Sequence, residues 1–274
     1  MTTVYPPEKH LLRDLRFSFE HDDAGQRSRA WMPVVPELCT DQGYARAGAL
    51  ATLVDVIGGG LAASAAAPGW IATADLTLSV VAGARPGSVV EARARVLRAG
   101  RTTVVIEVML ADERDRDIGI ATMSFAVLPR RDTNPEVTQI RDSPSTMAAP
   151  ESRLRRPLLE ELGVDVRDAG RGIIEVPVIE WVLNSMGAMQ GGVVATVADV
   201  AAELALRAAT NEPVVVTDLY VTYLGFGRVG PVTSAVEVLG TGVGHGAARV
   251  ELVDAGAENR RMTVVHAVAT RSPE

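Results

Sequence analysis

One stretch of this 274-residue chain occurs twice, and that repeat constrains the fold more than any other feature. The second copy, Asn184-Ser-Met-Gly-Ala-Met-Gln-Gly-Gly-Val-Val-Ala-Thr-Val-Ala-Asp199, is a glycine-punctuated loop running into an almost wholly apolar segment with one aspartate. The first copy, Thr40 to Asp55, aligns to it without a gap at an offset of 144, pairing Gly43 with Gly187, Gly48 with Gly192, Thr52 with Thr196 and Asp55 with Asp199. Upstream, Pro33-Val34 falls on Pro177-Val178 at the same offset, and Asp23-Ala24-Gly25 matches Asp168-Ala169-Gly170 at 145. Downstream, Asp75-Leu76, Arg85 and Gly87 fall on Asp218-Leu219, Arg228 and Gly230 at 143. A chain built this way has two equivalent units.

Each unit reads as strand, helix, then four strands. The first helix spans 47–66 and is stopped by Pro68-Gly69; its counterpart spans 191–209. Neither has a polar face, so each must be enclosed by other structure. Glu203 and Arg207 stand four apart and read as an ion pair near the exposed end of the second helix. Strand signals follow at 71–81, 88–97, 102–111 and 118–128, then at 214–224, 232–239, 247–253 and 262–270. With no helix between successive strands, the sheets are expected to be antiparallel, each wrapped around its helix in an α+β layout. Residues 1–16 read as a loose arm with a short helix, 17–130 as the first domain, 131–150 as a linker and 151–274 as the second domain.

Composition narrows the function classes. Aromatic residues are only 4% of a chain that is 47% hydrophobic, so aliphatic packing must fill the core. A formal charge of −7 argues against a general nucleic-acid binder, which needs a basic stripe for phosphates. Cys39 is the only cysteine, leaving no intrachain disulfide, and a packed thiol is expected there. The first residues are polar where a secretory signal would be apolar, and no charge-free stretch approaches a membrane span. A cytoplasmic protein that binds neither nucleic acid nor membrane is expected. The histidines lack metal-ligand spacing, and no G-x-S-x-G nucleophile elbow occurs.

A rival reading lies inside the first helix. Asp55-Val-Ile-Gly58-Gly-Gly60-Leu-Ala-Ala63 fits the G-x-G-x-x-A fingerprint of dinucleotide-binding turns, with Asp75 in the following strand. The second copy places Ala202, Glu203 and Leu204 at the three glycines, in a strongly helical pattern, so helix is expected in both. The glycines then serve to let a sheet or partner helix come close.

Asn184, Gly187, Gly191, Gly192 and Asp199 fit N-x-x-G-x-x-H-G-G followed by an acidic residue, with Gln190 in place of the histidine. The first copy keeps Gly43, Gly48 and Asp55 but carries Thr40, Arg46 and Ala47 at the Asn, His and first Gly positions. On these residues each half resembles a hotdog-fold thioesterase domain of the phenylacetate-pathway type, and the chain resembles a tandem, double-hotdog acyl-CoA thioesterase. The resemblance implies an acyl-CoA substrate, no cofactor, and sites drawn from both halves.

The residues give an independent account of how such sites assemble. Asp199 stands eight residues beyond Gly191, roughly 12 Å along a helix, so the two cannot act on one carbonyl. If the helices lie antiparallel, each aspartate faces the other helix's start. One hybrid site would join Asp55 to Asn184, Gln190 and the Gly191 N–H, with Gly192 beside them. The other would join Asp199 to Thr40, Arg46 and the Ala47 N–H. The aspartate would act as general base or nucleophile, and the helix-start N–H would hold the oxyanion. The Asp55 site is preferred, because its opposing loop keeps Asn184 and Gly191. Two further readings stand beside the hydrolase: a non-catalytic acyl-CoA or small-ligand binder, and an assembly module whose sheet edges pair. Homo-oligomers joined through sheet edges are expected.

Overall fold

The computed structural model describes residues 5–22, 26–129 and 144–271. The repeat match at residues 23–25 and most of the expected linker, 131–143, lie outside them. In the first half the elements are α1 (Leu11–Asp14), β1 (Ser18–His21), β2 (Arg27–Pro33), α2 (Ala47–Ala66), β3 (Trp70–Val80), β4 (Val89–Ala99), β5 (Thr103–Ala111) and β6 (Asp117–Leu128). There follow β7 (Ser145–Thr146), α3 (Leu158–Glu161), β8 (Asp165–Asp168), β9 (Ile173–Val176), α4 (Gly191–Thr210), β10 (Val214–Tyr223), β11 (Val232–Gly242), β12 (His245–Asp254) and β13 (Arg260–Arg271). The long helices and their four following strands stand where the sequence places them.

Alternation explains the strands. In β5, Val104, Ile106, Val108 and Leu110 are all fully buried while the residues between them are not, the period-two pattern of a strand with one face on a core. The two expected sheets join into one. Strand β3 pairs antiparallel with β10, setting Leu76 opposite Val221 and Leu78 opposite Leu219, so the described strands form a 13-stranded sheet in the order β7-β1-β2-β4-β5-β6-β3-β10-β13-β12-β11-β9-β8. Edge pairing is therefore already used inside the chain. The outer edges are β7, only two residues long, and β8, whose Asp165, Arg167 and Asp168 blunt it against further pairing.

Helix α2 is long and apolar enough by hydropathy to cross a membrane, but it packs as a core helix, with Leu50, Leu53, Val54 and Ile57 at most 2% exposed. The dinucleotide fingerprint lies in the middle of this helix, not at a strand-to-helix turn. Of its glycines only Gly58 meets the sheet closely, since a Cβ there would lie 2.8 Å from Met123 Sδ; Gly60 faces open space.

Close approach is instead set at the helix starts. A Cβ on Gly48 would lie 2.3 Å from Thr196 Cα, and one on Gly192 would lie 2.4 Å from Thr52 Cα. The repeat thus packs on itself, glycine against threonine, twice. Thr52 and Thr196 donate their hydroxyls to the carbonyls of Gly48 and Gly192 in their own helices, at 3.0 and 2.9 Å, so no polar atom is stranded in the contact.

Two expectations are corrected at the chain's beginning and middle. The arm is not loose. Leu11, Leu12, Leu15 and Phe17 are at most 3% exposed, and each such burial contributes about 1.5–3 kcal/mol. Polar bonds tie the arm to distant segments: Trp181 Nε1 donates to Asp14 Oδ2 at 2.9 Å, and Arg13 Nη1 to the Met147 carbonyl at 3.0 Å. Within the expected linker, Ser145–Thr146 is a strand paired with Ser18 and Phe19 of β1. Sequence periodicity cannot reveal a two-residue strand.

Because a methyl at position 192 meets backbone, Gly192→Ala should destabilise the fold by about 3 kcal/mol or more. Gly60→Ala should instead stabilise it by up to ~1 kcal/mol, having helical backbone and free space. Urea unfolding of the two variants beside wild type checks both signs.

Candidate active site

The glycine–threonine crossing lays the two helices antiparallel, and each aspartate thereby reaches the other helix's first turn. Asp55 Oδ2 accepts the Gly192 N–H at 3.2 Å, and Asp199 Oδ2 accepts the Gly48 N–H at 3.0 Å. The expected juxtaposition of each aspartate with the other helix's start is present; the N–H groups that bond the carboxylates are those of Gly192 and Gly48, the residues after Gly191 and Ala47. The second position of a helix points its N–H along the axis toward an incoming carboxylate, and the helix dipole favours the negative charge.

This leaves the Gly191 and Ala47 N–H groups without a hydrogen-bond partner among the described residues. Asp55 lies hard against Gly191, where a Cβ would come within 2.9 Å of its Oδ2. A side chain at position 191 would therefore push against the Asp55 carboxylate.

The surroundings of the two aspartates differ. Asp55 is 8% exposed, and its Oδ1 accepts the hydroxyl of Thr73 from β3 at 3.1 Å. Burial pushes its carboxyl up to about 6, against the pull of Thr73 and the Gly192 N–H toward the charged form. Tyr223, at the end of β10, donates its hydroxyl to the Gly191 carbonyl at 2.9 Å. Burial, and then the Asp55 carboxylate, raise the pKa values of both Tyr223 and Tyr5, so both phenols face Asp55 un-ionised. The N-terminal segment reaches the same loop, where Tyr5 Oη and His10 Nε2 meet the Leu183 carbonyl at 3.4 and 2.8 Å. Thr73, Tyr223 and Tyr5 carried no motif signal in the sequence. The repeat could have flagged the first two, because Val216 and Val80 occupy their places in the other half.

Around Asp199, 1% exposed, the space is filled with charge. Arg46 Nη1 donates to Glu203 Oε2 at 2.6 Å, and both side chains are buried. Arg207 bonds the other Glu203 oxygen and reaches Asp41 Oδ2 at 3.2 Å. The expected Glu203–Arg207 pair exists, but Glu203 is buried and shared, not exposed. Burial pushes Asp199 up to about 7; Arg46 pulls it down and Glu203 pushes it up again. Burial lowers the Arg46 guanidinium, but Asp199 and Glu203 more than offset that and raise it overall. In the repeat Glu203 corresponds to Gly59 and Arg46 to Gln190, so nothing equivalent fills the Asp55 side.

The loop residues divide. Asn184 does not turn to Asp55 with its oxygen; Oδ1 accepts the N–H groups of Met186 and Ala188 at 2.9 and 3.1 Å and shapes the loop ahead of α4. Gln190, 6% exposed, keeps a buried Oε1 with no partner, an acceptor left free beside Gly191. Thr40 Oγ1 is likewise buried and unpartnered. Cys39 is a packed thiol, half-buried, which burial pushes up to about 11. Surface cavities of about 290 Å³, lined by Tyr44, Arg85 and Arg114, and about 390 Å³, lined by Arg98 and Arg101, do not reach either aspartate. What marks the candidate site is its chemistry: a raised carboxyl beside a free helix-start N–H. Among the described residues no His, Cys, Asp and Glu side chains cluster so as to hold a metal ion.

Long helices, each enclosed by its half of an antiparallel sheet, make up the hotdog fold. The chain belongs to the thioesterase superfamily, whose profile matches residues 42–118 and 186–259, one segment in each half. Solved structures agree on the fold. A candidate thioesterase of Novosphingobium aromaticivorans superposes with a TM-score of 0.61 at 16% identity, covering 92% of this chain and 97% of that one. A candidate oleoyl thioesterase of Lactobacillus plantarum gives 0.63 at 12%, covering 92% and 98%. An acyl-ACP thioesterase of Bacteroides thetaiotaomicron gives 0.60 at 10%, covering 90% and 99%. No curated protein sequence matches the chain.

The raised carboxyls make a stability signature. A buried carboxyl with folded pKa above its unfolded value of 3.8 holds its proton more tightly when folded, so stability falls as pH rises from about 4 through the folded pKa. Asp199→Asn keeps an oxygen for the Gly48 N–H and removes the charge. It should flatten the loss of melting temperature between pH 4 and 7 relative to wild type. Thermal melts across that range check it, and parallel curves would show that Asp199 does not titrate there.

Proposed function

We propose that the protein hydrolyses an acyl-CoA to the free acid and coenzyme A, as a double-hotdog thioesterase of the phenylacetate-pathway type, working from a single site at Asp55. The observation that carries this reading is the contact of Asp55 with Gly191: a carboxyl pushed up to about 6 stands against a helix-start N–H that nothing occupies. A thioester oxygen placed on that N–H brings its carbonyl carbon beside the carboxylate. The subtype is supported by the motif Asn184, Gly187, Gly191, Gly192, and the CoA ester by the motif alone.

In the reaction Asp55 takes a proton from water as the oxygen adds to the carbonyl carbon, and the developing oxyanion lies on the Gly191 N–H. Collapse of the tetrahedral intermediate breaks the carbon–sulfur bond, and the thiolate takes the proton back from Asp55. Direct attack by Asp55 to give a mixed anhydride uses the same contacts. Gln190 stands where the resemblance has histidine; its free Oε1 accepts a hydrogen bond from substrate or water and cannot serve as a base. Asp199 is read as structural, because its own flank is occupied by the Arg46–Glu203 pair.

Free thiol release from short, medium, long and aromatic acyl-CoAs tests the reading. Asp55→Asn should reduce release by roughly 10²–10⁴-fold, the range for loss of a general base, whereas folded Asp199→Asn should keep most of it. The wild-type rate should rise with pH through about 6, as Asp55 ionises. No release across the panel by protein that still binds acyl-CoA would make this a binding protein.

A further inference from the structure

Two hydrogen bonds converge on one peptide unit in the Asp55 site. Tyr223 Oη donates to the Gly191 carbonyl at 2.9 Å, and the N–H of that same peptide, belonging to Gly192, donates to Asp55 Oδ2 at 3.2 Å. The carbonyl and N–H of a trans peptide point in opposite directions. Hydroxyl, peptide and carboxylate therefore form a continuous chain. A donor on the carbonyl draws electron density from the peptide nitrogen and makes its N–H a stronger donor in turn, the cooperative effect expected of linked hydrogen bonds in a dry site.

We propose that Tyr223 is a positioning residue for Asp55: through the Gly191–Gly192 peptide it fixes the Gly192 N–H on the carboxylate and favours the ionised form that activates water. The proposal rests on Asp55 being the working carboxylate. It also accounts for a difference between the halves. Val80 stands in place of Tyr223 in the first half, and no side chain donates to the Ala47 carbonyl among the described residues, so Asp199 takes the Gly48 N–H without this support.

The same tyrosine has a second effect. By tethering the Gly191 carbonyl, it fixes the start of α4 against the end of β10, and so fixes the direction of the neighbouring free Gly191 N–H. A hydroxyl from one strand thereby orients both the carboxylate's donor and the oxyanion's donor. Three other groups face Asp55 and must be held constant in a test. Thr73 bonds Oδ1, not Oδ2; Tyr5 spends its hydroxyl on Leu183; and the Gly191 N–H remains free.

The experiment is the pH dependence of thiol release for wild type, Tyr223→Phe and protein with 3-fluorotyrosine placed at position 223, whose hydroxyl is a stronger donor. Tyr223→Phe should move the acid limb up by about half a pH unit, a roughly threefold loss of rate below the midpoint. The fluorinated residue should move it down. A merely structural tyrosine would lower the rate at every pH and leave the limb in place. An unmoved limb, or shifts of the same sign for both replacements, overturns the proposal. Should Tyr223→Phe fail to fold, the fluorinated protein keeps the shape and decides by itself. Asp55→Asn separates the two inferences: if it retains release, the hydrolysis stands but Asp55 is not its working carboxylate. The Asp55 carboxyl-carbon resonance, assigned against Asp55→Asn and titrated in each protein, then still shows whether Tyr223 sets its ionisation.

Discussion

Everything at the centre of this protein depends on how closely α2 and α4 cross. Gly48 against Thr196 and Gly192 against Thr52 leave no room for a Cβ on either glycine, so the helix axes are held at the shortest separation their backbones allow. The register follows from the same contact. Each aspartate lies seven residues beyond its contact glycine, roughly 10 Å up the helix at 1.5 Å per residue. Antiparallel overlap then sets it at the first turn of the opposite helix. A slip of one helical turn, about 5.4 Å, would strand both carboxylates in an aliphatic core, at the cost of an unpaired buried charge. Helix packing and the placement of the two carboxylates are one constraint here.

Within that symmetric frame the two sites carry opposite chemistry. Asp55 is surrounded by neutral donors: the Gly192 N–H, the Thr73 hydroxyl and, through a peptide, the Tyr223 hydroxyl. None brings a formal positive charge, so burial still raises the carboxyl to about 6. Such a group is ionised near neutral pH yet keeps useful basicity. Asp199 has a guanidinium close by, but Glu203 shares it, and burial again prevails at about 7. A raised pKa therefore does not by itself identify a working base. What separates the two is that Asp199 borders the buried Arg46–Glu203–Arg207 ion pairs, while nothing equivalent fills the Asp55 side.

The repeat made much of this legible in advance. Two copies, gapless from loop to helix, placed both long helices and their following strands, and helix geometry, given antiparallel helices, set each aspartate against the other half's loop. What the sequence could not give was set by distances finer than a residue. The bond from the Gly192 N–H to Asp55 is one such case, because which N–H of the first turn meets the carboxylate is set by less than a residue's rise. Asn184 fits its motif but spends its oxygen on Met186 and Ala188. Glu203 and Arg207 read as a surface pair because four-residue spacing carries no information about Arg46, 157 positions away. The packed arm and the strand at Ser145–Thr146 are too short to leave a period.

The loss of symmetry has an energetic logic. A buried ion pair is expensive to desolvate and is weak evidence for stability, but breaking one partner from it is costly, so it fixes an arrangement even where it adds little net energy. Arg46 and Asp41 come from the first half, Glu203 and Arg207 from the second, and their bonds cross the helix interface. That network ties the halves together by filling the side of Asp199 with charge. Duplicated positions allow the division: one aspartate flanked by charges that lock the crossing, the other by neutral donors alone. A fused pair of domains can diverge in this way, whereas two identical subunits related by symmetry must carry the same residues at both sites, so any charge lock that closes one closes the other.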